Sequence, residues 1–255
     1  RYARNFTKNF LNFPNDMNFS DEFISFAAGD IFLGLDLQPH VVPSHEAFFD
    51  RLRKHGVSVS FVLYDIICLT HPQHFSEGAF ETYKRWLISI AKNDKIICIS
   101  KSVSIELTSW LEENNSASLE NLEIDWFHLG SDIQNSLPST GLPSNVDSTL
   151  NRIKNLDSFL MVGTIEPRKG YREVLNAFEQ LWEIGIEVCL VIVGKKGWLM
   201  DETIRELTNH RQLDKYLFWF ETASDELLDQ LYINCKCLIA ASDAEGFGLP
   251  LVEAA

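Results

Sequence analysis

The sequence predicts an α/β protein of two units, each a parallel sheet flanked by helices. Three observations carry this. Apolar runs of strand length alternate with stretches of helical period along most of the chain. That rhythm lapses once, between Gly130 and about Asp157, and then resumes. With 255 residues and 45% hydrophobic content there is enough chain and core for one large domain or two ordinary ones, and no apolar run is long enough to span a bilayer.

Taken in order, the residues up to about Gly29 are rich in Asn and Phe and show no clean period. Ile31–Leu37 reads as a strand. A helix then runs from about Ser44, a good N-cap, to His55, where Gly56 ends it. Val57–Leu63 is a second strand and closes on Tyr64-Asp65. A loop with Pro72 leads to helical spacing over Glu77–Asn93, and Lys95–Ile99 is a third strand. Ser100 opens a helix through Trp110, and Leu122–His128 supplies another strand. Strands separated by helices at this spacing imply parallel pairing with right-handed crossovers.

The segment from Gly130 to about Asp157 holds Pro138, Gly141, Pro143 and many Ser, Asn and Asp residues, which is linker composition. The expected units are therefore residues 1–135 and 158–255, joined by a linker over 136–157. In the second unit strands are expected at Ser158–Gly163, Glu187–Val193, Leu217–Phe220 and Cys237–Ala241. Helices are expected at Tyr171–Glu183, Trp198–His210 and Ser224–Asn234. Ser224 caps the last of these, with Asp225 and Glu226 suiting its positive end. Neither unit carries a Gly-x-Gly-x-x-Gly dinucleotide fingerprint, which weighs against an NAD-dependent enzyme.

Charge and cysteine content narrow the function classes. A formal net charge of −14 argues against a nucleic-acid partner and against simple attraction to anionic lipid, although a local basic patch is compatible with an acidic total. The five cysteines are an odd number. Cys68, Cys98 and Cys189 fall in strand-like runs as small hydrophobes, and Cys235-Lys-Cys237 lacks the spacing of a redox or zinc pair. No secretory leader is legible at Arg1-Tyr-Ala-Arg. Reduced thiols in a cytoplasmic protein are the expectation.

Two stretches carry chemistry. In Ala241-Ser-Asp-Ala-Glu245-Gly-Phe-Gly-Leu-Pro-Leu-Val-Glu253 an apolar strand feeds a loop with Gly246 and Gly248, and then a helix with Pro250 in its first turn. The glycines allow close backbone approach, and free amides at the helix start favour an anion. Glu245 and Glu253 bracket that site. Beside an anion they make sense if they accept from sugar hydroxyls, so a diphosphate with polyols at both ends fits. The second stretch is Val162-Gly163-Thr164-Ile-Glu-Pro-Arg168-Lys169-Gly170. It brings two cations to the C-terminal edge of a strand, where ligands of open parallel sheets lie. Gly194 ends the strand of Leu190–Val193, either for a tight turn or for close approach to a nucleotide.

These motifs resemble the GT4 family of retaining glycosyltransferases. Glu245-Gly-Phe-Gly-Leu-Pro-Leu-Val-Glu253 looks like its Glu-x7-Glu signature, and Ile192-Val-Gly-Lys-Lys-Gly-Trp198 is similar to a run in its members. The resemblance implies a GT-B fold, in which the first unit is the acceptor side and the second holds a nucleotide sugar across a cleft. It implies Arg168 and Lys169 as diphosphate ligands and Glu245 as the holder of donor-sugar hydroxyls, with Glu253 on the ribose. Gly163, Thr164, Gly194, Gly246, Phe247, Gly248 and Leu249 complete the donor side. Relatives often carry Arg after the glycine where this chain has Thr164, which shifts weight onto Arg168 and Lys169. On the acceptor side the candidates are Tyr64, Asp65 and His71, and Tyr64 replaces a histidine usual in the family. His71 and His74 alone do not argue for a metal, since Pro72 lies between them and no third ligand clusters nearby.

The implied reaction needs neither metal nor cofactor. The expected partners are a nucleotide-sugar donor (GDP-mannose as the preferred guess) and a saccharide or lipid-linked acceptor of surface-polysaccharide synthesis. The reaction is placed in the cytoplasm, with peripheral contact at the inner membrane face as an option. Asp36 and Asp132 sit at strand ends facing the expected cleft, and Trp198 is placed to shape the nucleotide pocket. Trp86, Trp110 and Trp182 are expected in the core. By the same resemblance both ends are expected to be truncated. A nucleotide-sugar epimerase, a phosphorylase of the same fold, and a non-catalytic nucleotide-binding fragment stay open as alternatives.

Overall fold

The computed structural model describes residues 25–114, 121–130, 138–144 and 146–255. Two four-stranded sheets, all parallel, organise them. The first contains β1 (Ile31–Gly34), β2 (Ser58–Leu63), β3 (Lys95–Cys98) and β4 (Glu123–Trp126), side by side in that order. The second contains β5 (Asp157–Val162), β6 (Val188–Val193), β7 (Leu217–Phe220) and β8 (Cys237–Leu238), in the order β7-β6-β5-β8. The chain thus builds outward from β5 through β6 to β7, then returns so that β8 pairs on the other side of β5, with Phe159 opposite Cys237. Strand order therefore reverses at β5. In open α/β sheets a crevice forms at such a reversal, beyond the strand C-termini.

Helices α1 (Glu46–Lys54), α2 (Ile67–Thr70), α3 (Ala79–Ala91) and α4 (Lys101–Glu113) accompany the first sheet. Helices α5 (Val146–Asn155), α6 (Tyr171–Glu183), α7 (Asp201–Thr208), α8 (Asp225–Asn234) and α9 (Leu249–Glu253) accompany the second. Ser100 and Ser224 cap α4 and α8, accepting from the amides of Val103 and Leu227. Proline stands in the first turn of α9, where its missing N–H costs nothing.

The burial pattern follows from the topology. Every residue of β6 is buried. Leu190 and Ile192 pack with Phe178 and Trp182 on one face, while Cys189, Val191 and Val193 pack with Leu227 and Leu231 on the other. A central strand covered by helices on both sides has no solvent face, so it reads as an unbroken apolar run. In the first unit Phe61 and Leu63 of β2 meet Trp86, Leu87 and Leu107. Trp86, Trp110 and Trp182 are buried, as expected.

Several expectations need correction. Ser44 does not cap α1. It lies in a 3-10 turn over Val42–His45 and donates its hydroxyl back to the Val41 carbonyl at 2.7 Å. The expected linker contains a ten-residue helix, α5, because Val146, Leu150 and Ile153 recur at helical spacing and bury against β5 and β6. Cys68 lies on α2, not on a strand. The last strand is two residues long; Ile239 still donates its amide to the Leu160 carbonyl at 2.7 Å, and the chain beyond it runs on as loop. Asp36 is exposed and accepts from Gln38, and Asp132 falls outside the described residues.

Candidate active site

The site forms where the loops after β5 and β8 meet. Gly163 follows β5 at a φ of +140°, a conformation that L side chains rarely adopt. Its carbonyl accepts from the Tyr171 hydroxyl at 2.6 Å. A Cβ on Gly194 would stand 1.8 Å from that same carbonyl, so β5 and β6 converge here backbone to backbone. The close approach made by Gly194 is thus to Gly163. Thr164 is exposed, and Ile165 is buried and bridged to Lys196.

A 3-10 turn over Pro167–Lys169 then carries both cations, and Gly170, left-handed at φ +69°, starts α6. A Cβ on Gly170 would meet the Ala241 carbonyl at 2.4 Å, which presses the turn against the loop leaving β8. Backbone and side chain join the two: the Asp243 amide donates to the Arg168 carbonyl at 2.9 Å, and Arg168 Nη1 donates to the Ala244 carbonyl at 2.8 Å.

Their charges form one cluster. Arg168 lies 3.2 Å from Glu166 and 3.3 Å from Glu245, and Lys169 Nζ bonds to the other oxygen of Glu245. Both cationic side chains are only 14% exposed, against 33% for Glu245. Burial by itself pushes the Glu245 carboxyl up. Hydrogen bonds from Lys169 and Ser242 and the adjacent cations outweigh it and hold the group below its ordinary value. Glu166 and Asp65 go the other way. Burial dominates for each and raises it, with Arg168 and Lys169 opposing. Two cations thus face three carboxylates, of which one is held ionised and two are driven toward the neutral form.

The first unit closes over this cluster. Gly246 sits against the end of β2, where a Cβ would stand 2.4 Å from the Tyr64 carbonyl. Ser100 Oγ donates to the Gly246 carbonyl at 2.7 Å, and Phe247 lies 6.1 Å from the His128 ring. His74 Nε2 is 2.9 Å from Asp243, and Trp198 Nε1 donates to the His74 carbonyl at 2.8 Å. Trp198 also stacks on Phe75, with centroids 5.6 Å apart.

The remaining expected residues are more dispersed. Gly248 is left-handed at the start of α9, and Leu249 is exposed. Glu253 accepts from the Tyr232 hydroxyl at 2.8 Å. Tyr64 donates its hydroxyl to the Leu35 carbonyl at 3.0 Å, and Asp65 accepts from the Ile67 amide at 3.0 Å. His71 bonds to Thr70 and stacks on His74, and it is not among the residues lining the cavities. Ser100, His74 and Glu166 belong to the site but were not expected there. Their sequence signals are indirect: Ser100 opens a helix, Glu166 lies within the Val162–Gly170 stretch, and His74 stands three residues after His71. Among the described residues no three His, Cys, Asp or Glu side chains group as a metal site would need.

Two cavities flank the cluster. One of about 710 Å³ lies between the units and is bounded by Asp65, Tyr83, Arg168 and Trp198. The other, beside Lys169, Tyr171, Glu245 and Gly248, is far smaller, about 30 Å³.

Comparison with known proteins fits this geometry. Residues 147–255 match the family described as Glycosyl transferases group 1. The whole chain aligns at 42% identity with the serotype-specific mannosyltransferase WbdA of Escherichia coli, of whose length it spans 31%. Among solved structures, a UDP-forming alpha,alpha-trehalose-phosphate synthase from Burkholderia vietnamiensis superimposes with a TM-score of 0.60 at 13% identity, covering 87% of this chain and 54% of that one. The pneumococcal O-GlcNAc transferase GtfA, solved with UDP and GlcNAc, gives a TM-score of 0.58 at 19% identity over 99% of this chain and 42% of that one. No helix among the described residues is long and apolar enough to cross a membrane. Residues 147–255 thus match the group 1 glycosyltransferase family, and the chain as a whole has the GT-B architecture of two parallel-sheet units.

Proposed function

We propose that this chain transfers a hexose, mannose in the preferred reading, from a nucleoside-diphosphate sugar to a saccharide or lipid-linked acceptor of surface-polysaccharide synthesis. The anomeric configuration is retained and no metal or cofactor takes part. The observation that carries the reading is the delivery of Arg168 and Lys169 together onto the Glu245–Gly248 loop, at the point where strand order reverses. The 42% identity to a mannosyltransferase supports the sugar. The reaction belongs in the cytoplasm, or at the inner face of the membrane.

The roles follow from charge. As the bond from the anomeric carbon to the phosphate oxygen breaks, negative charge grows on the diphosphate. Arg168 and Lys169 neutralise it, and the Gly246–Leu249 backbone lies beside it. The acceptor oxygen bonds to the anomeric carbon on the same face, and its proton passes to the departing phosphate oxygen, so no protein base is required. Glu245 takes hydroxyls of the donor sugar. Glu253, oriented by Tyr232, takes the ribose hydroxyls. One adjustment accompanies binding: the diphosphate competes with Glu245 for the cations.

A thermal-shift screen of GDP, UDP, ADP and dTDP, with Glu253→Ala beside the wild type, tests this. A ligand at a hundred times its Kd adds about 2.7 kcal/mol of stability. One diphosphate is expected to raise Tm, and less so in Glu253→Ala. No shift with any of the four removes the donor site from this chain.

A further inference from the structure

Glu166 is a charged residue in the interior. Only 7% of its surface is exposed, and it precedes Pro167, which favours its extended backbone of φ −126° and ψ 154°. From the other side the loop after β6 closes on it, since a Cβ on Gly197 would stand 2.8 Å from Glu166 Cγ. Among the described residues no hydrogen bond engages Glu166 Oε2, and the charged group beside it is Arg168 Nε at 3.2 Å. We infer that Glu166 is a positioning residue, holding the Nε edge of the Arg168 guanidinium so that the rest of the fork stays turned to the diphosphate. The inference rests on the transferase reading above and gives a role to a residue that reading leaves unused.

Three observations carry it. Arg168 is held at Nε by Glu166 and at Nη1 by the Ala244 carbonyl, 2.8 Å away, and by Glu245 at 3.3 Å. In the proposed reaction the diphosphate displaces Glu245, so Glu166 and the Ala244 carbonyl remain. One carbonyl leaves a long side chain free to swing, whereas contacts on two edges fix the plane of a guanidinium, whose donors form a rigid fork. Second, Glu166 is boxed between Pro167 and Gly197, so Arg168 rests against a fixed group and not against another flexible chain. Third, Val162–Gly170 contains no cation besides Arg168 and Lys169. A misplaced Arg168 therefore removes half of the positive charge this stretch offers.

The sign of the effect separates positioning from plain electrostatics. A carboxylate beside an anion site repels the anion, so by charge alone its removal strengthens binding. Loss of positioning weakens it. Glutamine keeps an acceptor oxygen without the charge, so Glu166→Gln retains the positioning.

Calorimetric titration with GDP, UDP, ADP and dTDP tests this on wild type, Glu166→Gln, Glu166→Ala, Arg168→Ala and the double variant Glu166→Ala/Arg168→Ala. For the diphosphate that binds wild type, Glu166→Ala is expected to weaken binding roughly tenfold, about 1.4 kcal/mol. Glu166→Gln is expected to stay within about threefold of wild type or to bind more tightly. With Arg168 already replaced, Glu166→Ala is expected to cause no further loss, because nothing is left to position. A residue that only supports the loop would weaken binding in both backgrounds. Should Glu166→Ala fail to unfold cooperatively, Glu166→Met, which keeps the volume and lacks the oxygens, replaces it with the same expectations. Equal affinity in wild type and Glu166→Ala, or an equal loss with and without Arg168, overturns the inference and leaves the donor reading standing. Binding of none of the four by the folded wild type overturns both.

Discussion

Ser100 Oγ serves two units at once: it accepts the Val103 amide at 3.2 Å to cap α4 and donates to the Gly246 carbonyl at 2.7 Å. The same hydroxyl thus starts a helix in the first unit and holds the central loop of the second. Ser100→Ala is expected to lower stability by about 1 kcal/mol through the lost cap. It should also speed hydrogen exchange at Gly246–Gly248 beyond that global change. A urea titration with exchange measured on the same samples checks this, and unchanged relative protection at the loop would show that the bond to Gly246 holds nothing.

Gly194 and Gly130 make a paired test of backbone packing. A Cβ at Gly194 would overlap the Gly163 carbonyl, whereas nothing lies within 4 Å of one at Gly130. Gly194→Ala should cost on the order of 1–3 kcal/mol or more, and Gly130→Ala less than about 0.5 kcal/mol. Thermal unfolding of both variants measures the difference.

Lys169 and Glu245 should respond in opposite directions to loss of charge. Lys169→Ala removes a cation assigned to the diphosphate and is expected to weaken nucleotide binding at least tenfold, about 1.4 kcal/mol. Glu245→Gln removes the carboxylate that competes for Lys169 and Arg168, so the free diphosphate should bind at least as tightly as to wild type. Calorimetry of both variants with the diphosphate selected by the thermal screen decides. Equal weakening in both would disprove the competition.

The carboxylates of the cluster also divide by pH. Glu245 has a lowered folded-state pKa, so its contribution is present above the unfolded value of about 4.3 and is lost as pH falls from there through the lower folded value. Glu166 and Asp65 have raised values, so their contribution is full below the unfolded value and fades as pH climbs through the raised one. Urea midpoints of Glu245→Gln are expected to fall less than wild type between about pH 5 and 3. Those of Glu166→Gln are expected to fall less as pH rises above the unfolded value of about 4.3. A shift on the same side for both variants would contradict this assignment.

Much of the fold was legible because the elements bury completely. Val188–Val193 is apolar at every position since both faces of β6 are covered, and Tyr171–Glu183 keeps its period because one face of α6 packs on the sheet. The segment around α5 misled because Ser, Asn and Asp outnumber its three inward residues, Val146, Leu150 and Ile153. Strand β8 proved shorter than its apolar run because only Cys237 and Leu238 pair with β5. Of the site, the stretches around Arg168 and Glu245 stood out by residue type at strand ends. Their pairing did not, since it depends on β8 returning beside β5, a crossover that local periodicity does not record. His74 and Asp243 meet across 169 positions of sequence for the same reason.

The clasp between the units has a chemical asymmetry. Trp198 and Ser100 each give a side-chain proton to a main-chain carbonyl, those of His74 and Gly246. A carbonyl is present whatever residue occupies the position, so substitution at His74 does not by itself remove the acceptor for Trp198. Gly246 has no such latitude, since any side chain there collides with Tyr64. Mutational drift can therefore dissolve the clasp through its two donors and through one of its acceptors, while the other acceptor position is free to vary as far as this bond is concerned.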